Sequence, residues 1–250
     1  MPTFFADLAT DERPITLDCD VTIGFWPPRA DLDLSPAGVA RVLERGRIGG
    51  ALVTASAGVW SDEARGVEDT LAAAELHGWS PCPAVNLRDA WGIGERLDAW
   101  LERGVRAIRL PSCAQHIPTH SPGFQLTVRE AASRGLLMLA DGDFVEVQRA
   151  FRDLGAKVVF LDLSYYQGAD FLIAAADEPT FVASTRRLLG PDSLEIICDK
   201  VGAHHVVFGS GSPLQDLEPT VWRLRDARLS ATDFAAVAGG TLTSLLEQDS

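Results

Sequence analysis

The stretch Ala203-His204-His205-Val206-Val207-Phe208-Gly209-Ser210-Gly211-Ser212-Pro213 reads as a short apolar strand, His205–Phe208, running into a tight polar turn. Immediately upstream, Asp192–Val201 has the spacing of an amphipathic helix and stops at Gly202, a residue suited to the left-handed turn that ends a helix. This unit of helix, glycine and apolar strand recurs along the chain. Strands are expected at Thr16–Val21, Ala51–Ala55, Pro83–Asn86, Val105–Leu110, Leu136–Ala140, Val158–Leu163, Thr180–Ser184 and His205–Phe208. Helices are expected at Ser61–His77, Ile93–Arg103, Gln125–Arg134, Phe144–Leu154, Ala169–Ala176 and Asp192–Val201. Another starts at Ser35-Pro36, with serine as N-cap, proline in the first turn, and Val39, Val42 and Leu43 on its buried face. Gly78, Gly104, Gly135 and Gly155 punctuate the helix-to-strand turns as Gly202 does.

Eight strands alternating with helices, without a linker-like segment, predict an α/β protein with a parallel sheet in one domain spanning residues 1–250. Alternation alone does not separate a closed barrel from an open doubly wound sheet. No G-x-G-x-x-G follows the first strand, which argues against a dinucleotide-binding fold.

Composition narrows the function classes. The 250 residues are 46% hydrophobic and 23% charged, as expected for a globular protein with a large core. A net charge of −13 sets the chain against nucleic acid as a partner. No apolar run approaches the ~20 residues needed to span a bilayer. Residues 1–10 lack a basic segment and contain Asp7, so no secretory leader is expected, and a cytoplasmic location follows as the default. Cys19, Cys82, Cys113 and Cys198 form no CxxC pair and are expected to be free thiols, two of them buried.

Six segments in order carry a resemblance. Leu17-Asp18-Cys19-Asp20-Val21-Thr22-Ile23-Gly24 is similar to a first-strand Asp-x-His-x-His-x-Gly. Gly104–Pro111 is similar to a fourth strand, and Gly135–Asp141 and Val158–Asp162 to fifth and sixth strands that would normally end in histidine. Ala203–Pro213 resembles an eighth strand followed by Gly-Ser-Asp-x-Pro, and Leu229–Leu246 resembles a closing helix pair, with Thr241 where asparagine is usual. On these segments the chain resembles the amidohydrolase-related (amidohydrolase 2-type) TIM-barrel metal-dependent hydrolases. The resemblance implies a single (β/α)8 barrel, a small-molecule substrate, and a possible homodimer.

The departures are systematic. The first-strand histidines map onto Asp20 and Thr22, the fifth- and sixth-strand histidines onto Asp141 and Asp162, and the eighth-strand aspartate onto Gly211. His204 and His205 fall at the start of a strand, whereas barrel active sites lie at strand C-termini. The two lysines, Lys157 and Lys200, are not at strand ends either. The usual zinc ligands are thus missing, and no metal and no cofactor are expected.

Alternation along the first strand points Asp18, Asp20 and Thr22 to one side, taken as the barrel interior. Asp20, Asp141 and Asp162 are then expected to converge at the mouth, where three carboxylates cannot all ionise cheaply. Three readings follow. One is metal-free hydrolysis or elimination on an ester, lactone or related molecule, with one aspartate as acid and another as base. The second is a Mg²⁺, Mn²⁺ or Ca²⁺ site on the three carboxylates. The third is a pseudoenzyme that keeps a ligand pocket. His116, in the Pro111–Pro122 loop, joins the aspartates as a titratable candidate. Arg109 and Arg186 are either clamps for a substrate carboxylate or structural partners of Asp141 and Asp162. Thr22, Trp26, Tyr165 and Ser210 complete the expected substrate-facing set. Phe25, Trp60, Trp91 and Tyr166 lie on the same loops, lining a pocket or capping the barrel.

Overall fold

The computed structural model describes residues 13–60 and 62–247. Residues 1–10, read above for a leader, and Ser61, the expected first residue of the second helix, lie outside the described residues. Among the described residues eight parallel strands are present: β1 Asp18–Ile23, β2 Ala51–Ala55, β3 Ser80–Pro81, β4 Ala107–Leu110, β5 Leu137–Ala140, β6 Val158–Phe160, β7 Phe181–Ser184 and β8 Val206–Val207. Regular pairing runs through β1-β2-β3 and through β4-β5-β6-β7-β8. Sparse bonds close the two seams. Arg109 N donates to Pro83 O at 2.9 Å and Val85 N to Arg109 O at 3.0 Å, joining the β3 side to β4. Cys19 N donates to Phe208 O and Thr22 N to Ser212 O, both at 2.9 Å, joining β8 to β1. The sheet is therefore a closed (β/α)8 barrel.

Where strand bounds move from expectation, backbone donors explain it. The third strand pairs regularly only at Ser80–Pro81, because Pro81 and Pro83 have no N–H to give to a ladder. The eighth shrinks to two residues: Ala203–His205 is a turn of 3₁₀ helix, and Phe208 N is drawn to Val237 O at 2.8 Å. The expected helix Phe144–Leu154 is α-helical only over Phe144–Val147 and tightens to 3₁₀ at Gln148–Ala150. Phe144 and Phe151, on either side of that change, both pack edge-on against Phe160. Elsewhere the signals hold: Ser35 caps its helix by accepting from Gly38 N, and Gly78, Gly104, Gly135, Gly155 and Gly202 all have positive φ.

Two cores result. The larger lies between strands and helices and is rich in phenylalanine. The smaller fills the barrel with Cys19, Leu52, Cys82, Ala107, Leu137, Leu139, Val159, Leu161, Val182 and Val207, and Leu242 of the helix Thr241–Leu246 plugs its N-terminal end. Cys19 and Cys82 are buried, Cys113 exposed and Cys198 half-buried, and all four are free thiols. Among the described residues no helix is long and apolar enough to cross a membrane.

Candidate active site

The site is built on an irregularity in β1. Pairing with β2 slips between Asp18 and Val21, so strict alternation fails and Cys19 enters the barrel core. Asp18 therefore does not line the mouth beside Asp20. Its carboxylate accepts from Asp20 N at 3.0 Å, from Ser210 N at 3.0 Å and from the Ser210 hydroxyl. Burial without a cation pushes its pKa up to about 7, against these three donors. Ser210, expected to face substrate, is fully buried with its hydroxyl given to Asp18 and its oxygen accepting from Ser212 N. It braces the β8 turn instead of facing the mouth.

Above this brace the structure brings four of the expected residues into one charged chain. Asp20 accepts from Arg109 Nη1 on one oxygen and from Arg186 Nη1 on the other, each at 2.6 Å. Arg186 Nη2 continues to Asp162, whose second oxygen accepts from Gly142 N at 3.1 Å. Burial alone would raise the Asp20 pKa, but the two guanidiniums outweigh it and hold it down to about 2. Asp141 follows the opposite course. No guanidinium bonds to it among the described residues. One of its oxygens accepts from Ser112 Oγ at 2.8 Å and Cys113 N at 3.0 Å. Burial raises its pKa, with these hydrogen bonds and the nearby Arg109 charge only partly opposing the shift. The mouth thus holds one carboxylate kept ionised and one biased toward its acid form. Ser112 and Cys113 open a short helix, Ser112–Gln115, that gave no recognisable sequence signal beyond its place after β4.

Arg186 also explains the glycine at 211. That residue has φ of +72°, and a Cβ there would lie 2.9 Å from Arg186 Cδ and 3.3 Å from Gln215 Cδ. An arginine stem fills the space an eighth-strand carboxylate would need. This bears on the metal that the resembling family implies. The donor set left is carboxylate only, and two of its three members already bind a guanidinium bridging them. Among the described residues no group of three or more His, Cys, Asp or Glu side chains is placed to hold an ion. The residues present do not fit a divalent metal, which corrects the hard-cation reading of Asp20, Asp141 and Asp162.

The remaining candidates are more dispersed. His116 is exposed, caps the Ser112–Gln115 helix with φ of +56°, and no side-chain hydrogen bond ties it to the carboxylates. Thr22 is buried, its N–H spent on closing the β8 seam. Trp26 packs edge-on against Trp60, with ring centroids 4.9 Å apart. Tyr165 is exposed and leans over Gly190. His205, as its position implied, sits at the far end of the barrel with Nδ1 2.6 Å from Phe181 O. A cavity of about 540 Å³ is lined by Ile23, Phe25, Ala55, Trp60 and Leu76, and none of the three carboxylates lines it.

No protein-family model matches the chain, and no curated protein matches it in sequence. Solved structures do match. A 2,6-dihydroxybenzoate decarboxylase bound to 2,6-dihydroxybenzoate has a TM-score of 0.73 at 9% identity, over 93% of this chain and 99% of that one. An uncharacterised TIM-barrel protein from Bordetella bronchiseptica has a TM-score of 0.73 at 14% identity, over 92% and 98%. A dihydroxybenzoic acid decarboxylase from Polaromonas, with bound manganese and 2-nitroresorcinol, has a TM-score of 0.69 at 9% identity, over 92% and 96%. At such identities the likeness is one of fold alone, and that fold is the (β/α)8 barrel.

Proposed function

We propose that this protein is a small-molecule lyase or hydrolase that works without a metal, using Asp141 as general acid and Asp162 as its base. The observation that carries the reading is the asymmetry among the three carboxylates. Asp20 is pinned between two guanidiniums and nearly inaccessible, whereas Asp141 is biased by burial toward holding a proton. Asp162, half-buried, is the most accessible of the three. In ester or lactone hydrolysis, Asp162 takes a proton from the attacking water and Asp141 gives one to the departing alkoxide. Arg109 and Arg186 offset the negative charge that develops between these steps. The decarboxylases of like fold make aromatic carboxylic acids a second class to assay.

The test is a panel of lactones, aryl esters and hydroxybenzoates with the wild type and Asp141→Asn. The substitution keeps the size of the side chain and removes its ability to cycle a proton. Turnover is expected to fall at least ~10²-fold with the far-UV circular dichroism spectrum unchanged. Equal turnover removes Asp141 from the mechanism. A binding protein without turnover is the second reading, favoured by Asp20 and Arg109 being 1% and 7% exposed. Ligand-induced stabilisation with no turnover in the wild type would select it.

A further inference from the structure

The segments that follow β7 and β8 enclose a second cavity of about 310 Å³ next to the carboxylates. Its wall carries three guanidiniums, Arg186, Arg187 and Arg223, together with Gln215, Thr220 and a single acid, Asp216. Arg186 is already answered by carboxylates, but Arg187 and Arg223 outnumber the one acid of the lining. Arg186 commits Nη1 to Asp20 and Nη2 to Asp162, and its buried Nε has no partner. Arg223 Nη1 donates to the carbonyls of Thr185 and Leu188 at 2.8 and 2.9 Å, and no carboxylate answers its charge. Arg187 is exposed and has no ion-pair partner among the described residues. The helix Leu217–Asp226 also begins in this wall, and Asp216 at its N-cap makes no side-chain capping bond. Its first-turn N–H groups are therefore not answered by the cap residue.

Arg223 is half-buried, and only carbonyl and hydroxyl oxygens answer its charge, so an anion in the cavity would supply the counter-charge it lacks. We propose that this cavity binds the phosphate group of a phosphorylated small-molecule substrate, placing the rest of that molecule over Asp141 and Asp162. Polar side chains line the cavity from the β7 segment, the β8 segment and the helix, an arrangement suited to a phosphate with its three terminal oxygens. Loops after the seventh and eighth strands, with a helix N-terminus, are also where barrels repeatedly hold phosphate. The inference rests on reading the mouth as a small-molecule site and adds the class of substrate.

Inorganic phosphate is the probe. Calorimetry and thermal denaturation at constant ionic strength compare phosphate, acetate and sodium chloride on the full chain. Saturable phosphate binding with a raised Tm is expected, with no response beyond the salt control for acetate. Arg187→Gln, at an exposed side chain without an ion pair among the described residues, is expected to weaken phosphate at least tenfold without altering the unliganded Tm. Phosphate acting no differently from sodium chloride, acetate binding as tightly as phosphate, or an unchanged affinity in Arg187→Gln would each overturn the proposal. Binding is read without turnover, so its failure leaves the Asp141 test standing, and loss of the Asp141 mechanism leaves the binding result standing.

Discussion

Two aspartates separated by one cysteine show how far local wiring governs a side chain. Asp18 and Asp20 are both fully buried, yet the first is pushed up to about 7 and the second held down to about 2. Desolvation acts on both, and only Asp20 has cations to reverse it. Their effects on stability have opposite signs. Asp20 contributes stability that is present above about pH 4 and is lost as pH falls through about 2, on the order of 2 kcal/mol. Asp18 is protonated in both states below about pH 4. As pH rises from there to about 7, the unfolded chain releases the proton first, so stability declines by an amount on the order of 4 kcal/mol and then levels. Urea unfolding of the wild type and Asp18→Asn between pH 2 and 8 measures this. The difference in stability between the two proteins is expected to change steadily from pH 4 to 7 and to be flat above it. A constant difference across that range would mean that Asp18 is ionised in the folded protein at ordinary carboxylate pH, as three hydrogen-bond donors alone would favour.

At the scale of elements, the barrel is closed by the segment after β8 as much as by β8 itself. Ala238 O accepts from Thr16 N and Leu17 N at the entry to β1, and Val237 O accepts from Phe208 N at the exit of β8. This requires the chain to pass very close to β1 at Gly239, where φ is +147° and a Cβ would lie 2.1 Å from Thr16 Oγ1 and 2.8 Å from Leu17 N. The kink it makes separates the helices Ala231–Ala235 and Thr241–Leu246, and the second of these plugs the barrel floor with Leu242. Gly239→Ala is therefore expected to cost about 2–3 kcal/mol from backbone strain and overlap. For a chain of this size that lowers Tm by about 5–10 °C. Gly240→Ala is the control: its φ is −59° and its nearest Cβ neighbour is 3.0 Å away, so it should cost less. Equal losses at the two positions would show that the close approach at Gly239 is not what closes the seam.

At the scale of the whole molecule, the repeated helix–glycine–strand unit made the barrel legible in the sequence, because the backbone physics of each repeat is local. The missing imidazoles and the glycine at 211 were legible for the same reason, as positions along single strands. What filled their place was legible only at Asp162, for which an arginine partner was one of the expected readings. The Asp20–Arg186 contact joins residues 166 apart and the Asp20–Arg109 contact residues 89 apart, and no periodicity reports such a pairing. Nor did alternation foresee the slip in β1 that turns Cys19 into the barrel core. The pairing has a consequence for the protein as isolated. With the Arg186 guanidinium already bridging Asp20 to Asp162 and its stem occupying the space beside Gly211, adding a divalent metal would mean displacing a buried ion pair, which costs several kcal/mol. Purified protein made without added metal is expected to contain well under one zinc or manganese per chain by elemental analysis. Dialysis against a chelator should leave Tm and any turnover unchanged. One tightly held ion per chain, or a Tm that falls with chelator and recovers with metal, would overturn the metal-free reading and show that Arg186 moves aside for a cation.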